Sequence, residues 1–110
     1  MAKEKNKIDK IWEGLKDERA KKFIFDKLLF YWIKSFLPFS HIKSLNDVSQ
    51  DTIDHFSMLL NKEIKKEGIK NVGSQIRNAL WYREIEFEEE ETRVEYLLSL
   101  YVIEELNGQL

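Results

Sequence analysis

The sequence predicts an all-α protein: one compact, bundle-like domain of four to five helices with no significant sheet. Three observations carry this. Apolar residues recur at helical spacing along most of the chain. One proline and four glycines among 110 residues leave few places for the chain to turn. Hydrophobic residues at 43% and charged residues at 35% suit a globule, and neither a disordered tail nor a membrane span. A chain of 110 residues has room for a single domain, 1–110, and can bury roughly two-thirds of its unfolded surface. Residues 1–5 read as a flexible, charged lead-in. The absence of cysteine excludes a disulfide framework, a thiolate nucleophile and a cysteine-based zinc site.

The elements follow in order. Ile8, Ile11, Trp12 and Leu15 stand at i, i+3, i+4 and i+7, which predicts an amphipathic helix over about 6–17. Asp17 can cap a second helix over about 19–37, or the two stretches can run together. Pro38 ends that helix, because proline disfavours helical geometry in the residue before it. A loop over 39–48 leads to a well-marked start: Ser49 as N-cap, Asp51 in the first turn, and Val48 with Ile53 as a hydrophobic staple. Ile53, Phe56, Leu60 and Ile64 keep one face apolar until Gly68, placed where a C′ glycine belongs. Residues 69–73 read as a short link, followed by a helix over 74–83 with Ile76, Ala79 and Leu80 inward and Ser74 as its cap. In 83–91, Ile85 and Phe87 alternate with glutamates. The period of two suggests a strand, but no second strand is available to pair with it, so helix or a helix–helix joint is expected. A last helix spans 94–106 and ends at Asn107 and Gly108.

The N-terminal stretch lacks the apolar core of a secretory leader, and the longest unbroken apolar run, Leu28–Ile33, is far short of the ~20 residues that cross a bilayer. A cytoplasmic protein without membrane contact is expected. Charge is segregated along the chain. Residues 1–43 carry 11 basic and 6 acidic side chains, 44–82 carry five of each, and 83–110 carry 2 and 9. The acidic end is concentrated in Glu88, Glu89, Glu90 and Glu91, beside Glu84 and Glu86. Such a run is either a solvated or internally paired face, or a patch that steers a basic partner.

Leu28–Ile33 and Tyr96–Ile103 are apolar around the whole helix circumference, so each needs neighbours or another chain to wrap it. With aromatics at 13%, this points to a protein-binding face at Tyr31, Trp32, Phe36 and Phe39, and admits a homodimer or a groove for a partner helix. Signals for chemistry are weak. Asp51 and His55 form an i, i+4 pair without further ligands, His41 has no triad partners, and four consecutive glutamates point in different directions. No enzyme, cofactor or metal site is expected. The sequence therefore predicts a non-catalytic protein that binds another protein as a regulator, inhibitor or assembly subunit. The alternative is a nucleic-acid-binding helix–link–helix around 50–83, with Lys65, Lys66 and Lys70 on phosphates and Gln75, Arg77 and Asn78 on base edges.

Overall fold

The computed structural model describes residues 7–37 and 42–100. The first amphipathic stretch is α1 (Lys7–Gly14), and α2 (Glu18–Phe36) is a separate helix after a three-residue break. Asp17 makes the separation: its Oδ1 accepts from the N–H groups of Arg19 (3.0 Å) and Ala20 (3.2 Å), leaving two fewer orphan donors at the start of α2. Around the 39–48 loop, Leu45–Asp47 forms a 3₁₀ turn closed by a Ser44–Asp47 capping box. Helix α3 (Gln50–Glu67) starts where expected, with Ser49 Oγ accepting from the Thr52 N–H and both staple residues packed on the core. Helix α4 spans Ile69–Tyr82, and a fifth helix, α5, occupies 94–100. Pro38, Phe39, His41, the charged lead-in and the end of the last helix lie outside the described residues.

Helix α2 runs through the core. Ala20, Ile24, Leu28, Leu29, Tyr31 and Ile33 are buried on it, with Leu60, Ile69, Val72, Ile76, Leu80, Val94, Leu97 and Leu98 around them. Burying each large aliphatic side chain contributes roughly 1.5–3 kcal/mol. Helix α4 is the hub, packing against α1, α2, α3 and the Glu89–Thr92 turn. All six residues of Leu28–Ile33 are buried or half-buried within this one chain, so that run requires no second chain. The apolar surplus sits one turn later, at Phe36 and Leu37.

Two joints bear on the sequence reading, and the first overturns it. The expected link over 69–73 is the first turn and a half of α4. Ile69, Val72 and Ile76 extend its apolar stripe, and the corner is Gly68 alone, at φ 85°. A side chain at Gly68 would also strike Asp9, whose Oδ1 accepts from the Lys70 N–H (3.1 Å). The start of α4 is therefore capped from α1, and Ser74 lies inside the helix rather than at its cap. Gly73 is a point of close approach: an added Cβ would fall 2.9 Å from the Thr92 carbonyl oxygen.

The second joint, 83–91, takes the joint rather than the helix of the two forms expected there. Helix α4 ends in a Schellman motif: Ile85 N–H donates to the Leu80 carbonyl and Glu84 N–H to that of Trp81, both at 3.0 Å. Glu84 takes the left-handed conformation (φ 56°) that glycine usually fills there. Residues 85–88 are non-helical, with Ile85 and Phe87 packed on the core and Glu84, Glu86 and Glu88 exposed. The alternation thus marks a segment lying along the core without strand pairing. Glu89–Thr92 then forms a 3₁₀ turn.

Candidate functional site

The aromatic residues expected to share a binding face divide between two sides of α2. Tyr31 and Trp32 are adjacent in sequence, so their side chains leave the helix about 100° apart. Tyr31 is 6% exposed and meets Phe30 and Phe87 edge-on, beneath the 85–92 joint. Burial raises its phenol pKa, the Glu91 and Glu88 charges add to that, and a hydrogen bond with the Glu88 backbone opposes it. Tyr31 is therefore mainly a core residue, only its edge reaching a cleft between Phe23, Phe30, Leu45 and Glu91. Trp32 and Phe36 turn toward α3 and form a cluster with Phe56, the three centroids 5.4–5.8 Å apart. This is the range of favourable edge and offset contacts. Phe36 nevertheless keeps 50% of its surface exposed.

Beside this cluster runs a groove of about 230 Å³ between α2, α3 and α4. Trp32, Phe36, Leu60, Val72, Ile76 and Ala79 supply its apolar walls, while Glu63, Gln75 and Arg83 stand on its rim. The buried Ser35 hydroxyl at its base donates to the Trp32 carbonyl (2.6 Å), so no unsatisfied donor is left there. Tyr82, 89% exposed, lies one turn beyond Ala79 and next to Arg83. Phe56, Glu63, Tyr82 and Arg83 were not singled out as site residues from sequence. Only tertiary packing gathers them, although the helical spacing of Phe56 did place it on the inward face.

The acidic stretch is only partly free. Glu91 accepts from Lys27 Nζ at 2.5 Å, and Glu89 is paired with Arg93, while Glu88 and Glu90 are exposed. The basic N-terminal half thus meets the acidic end through Lys27, and two of the four glutamates expected to face a partner are tied to this chain instead. The joint that carries them covers the Tyr31 side of α2, away from Trp32 and Phe36.

Of the six residues of the nucleic-acid alternative, Lys65, Gln75 and Arg77 do not converge. Lys65 lines a cleft with Trp12 and Phe25, whereas Gln75 faces the groove on the α2–α3 side. The half-buried Arg77 donates to the Thr92 carbonyl at 3.4 Å. Lys66, Lys70 and Asn78 are exposed, but the expected link between two reading helices is absent. His55 stands edge-on to Phe56 at 5.7 Å. Among the described residues no three His, Asp or Glu side chains come together as a metal site, and no helix is long and apolar enough to cross a membrane.

Comparison with protein-family models, with curated proteins and with solved structures finds no match to this chain.

Proposed function

We propose that this is a non-catalytic helical protein that binds another protein through the groove between α2, α3 and α4. The observation behind this reading is Phe36, half exposed yet already held by Trp32 and Phe56 at the edge of a concave apolar surface. Aromatic side chains are enriched at interface cores, and a residue held in place before binding loses less entropy on contact. Mechanistically, a partner's apolar anchor enters the groove and removes Phe36 from water. Glu88 and Glu90 act at most on the encounter rate, from another side of α2. The nucleic-acid reading has less behind it, because Lys65, Gln75 and Arg77 face three different places.

Affinity capture from cells with the tagged full chain tests this. Recovery of whatever partner the wild type holds, a second copy included, is expected to fall by about tenfold or more with Phe36→Ala. Glu88→Gln with Glu90→Gln is expected to leave equilibrium recovery nearly unchanged. Undiminished recovery with Phe36→Ala would end the proposal.

A further inference from the structure

The groove also carries information about its occupant. Its volume, about 230 Å³, is below the ~300–1,000 Å³ of small-molecule sites, and suits a single side chain. Its rim holds one acid and one base, Glu63 on α3 and Arg83 just after α4. Among the described residues neither enters an ion pair. A uniformly basic or uniformly acidic partner would meet one like charge there. A second copy turned through 180° satisfies both, because it sets each Glu63 against the other's Arg83. Such a two-fold contact also requires a projection and a hollow on the same patch. Tyr82 is the projection: 89% exposed, and placed by the last turn of α4 beside the groove-lining Ala79 and Arg83.

We infer that the groove docks a second copy of this chain across a two-fold axis, Tyr82 of each protomer seated in the other's groove. Glu63 of each pairs with Arg83 of the other. This rests on the protein-binding reading above and names its partner.

Sedimentation of the full chain from about 5 to about 500 µM tests it, over the range where modest dimer affinities fall. The wild type is expected to pass from 13.2 kDa to twice that mass. Tyr82→Ala, at a position too exposed to threaten the fold, is expected to raise the dimer Kd by about tenfold or more. Arg83→Glu and Glu63→Arg each set like charges against each other at both ends of the interface, and each is expected to sediment as a monomer. An equimolar mixture of those two variants restores both opposite-charge pairs and is expected to form a heterodimer near wild-type affinity. Far-UV circular dichroism confirms that each variant is folded. A wild type that stays monomeric throughout overturns the inference, while the capture experiment judges the docking reading separately. A dimer that Tyr82→Ala leaves intact, or charge variants that fail to pair when mixed, overturns it equally.

Discussion

On one side of α2, Tyr31 lies beneath Phe87 and a segment tied down by the Lys27–Glu91 bridge; on the other, Trp32 and Phe36 meet Phe56 with Phe36 left half open. Both sides are aromatic, and both come from the same apolar stretch of one helix. They differ in what the chain lays over them. The 85–92 joint covers the Tyr31 ring and leaves only a cleft at its edge, whereas the Phe36 ring stays half exposed beside its groove. Aromatic side chains in this molecule therefore do two jobs: one set contributes stability, and the other is held in shape without being covered. Sequence composition sums the two sets, and only topology separates them.

The largest expected effect breaks the covered side. Tyr31→Ala should cost about 3–5 kcal/mol in denaturant unfolding, as for other buried aromatic truncations. Phe36→Ala should cost about 1 kcal/mol or less, because much of its ring is already in water. Equal losses at the two positions would remove the distinction. Next comes the seam between α4 and the joint. Gly73→Ala places a methyl 2.9 Å from the Thr92 oxygen and 3.0 Å from Val94 Cγ2, so the joint must lift, at about 1–3 kcal/mol. Hydrogen exchange should show the loss of protection concentrated at 92–97.

Smaller still is the cap that α1 supplies to α4. Asp9→Ala should cost about 1 kcal/mol, and Asp9→Asn much less, since asparagine also accepts from an N-terminal amide. Because no residue of α1 is buried, this loss should appear first as faster exchange in Lys7–Gly14. The smallest effect needs alkaline pH. Tyr31 is raised above the ordinary 10.0, so the folded state keeps a proton that the unfolded chain releases. Its contribution is complete below about pH 10 and is lost as pH rises through the folded value. Tyr31→Phe should lose less stability than the wild type between neutral pH and that range, measured by urea unfolding at each pH.

Local grammar was legible in advance. Asp17, the Val48–Ser49–Ile53 start of α3 and the glycine that ends it act within a few residues, so the chain itself displays them. Both ends of α4 were not. Gly73 reads as a helix breaker but serves a contact with Thr92, nineteen residues away, and Glu84 occupies a position where glycine is the usual signal. The glutamate run left two readings open for a related reason. Lys27, the partner of Glu91, lies 64 residues earlier, so the run itself does not display whether it is paired internally or open. Within the candidate site, Trp32 and Phe36 were visible as aromatic surplus, whereas their grouping with Phe56, Glu63 and Arg83 depends on how three helices meet.

Site-specific photo-crosslinking tests most directly the claim that the Phe36 side binds and the acidic joint does not. A photoreactive phenylalanine analogue is placed at position 36 in one full-length chain and at position 90 in another, and both are irradiated in living cells. The account expects a covalent partner adduct from position 36 and none above background from position 90. An adduct from position 90 with none from position 36 would contradict it.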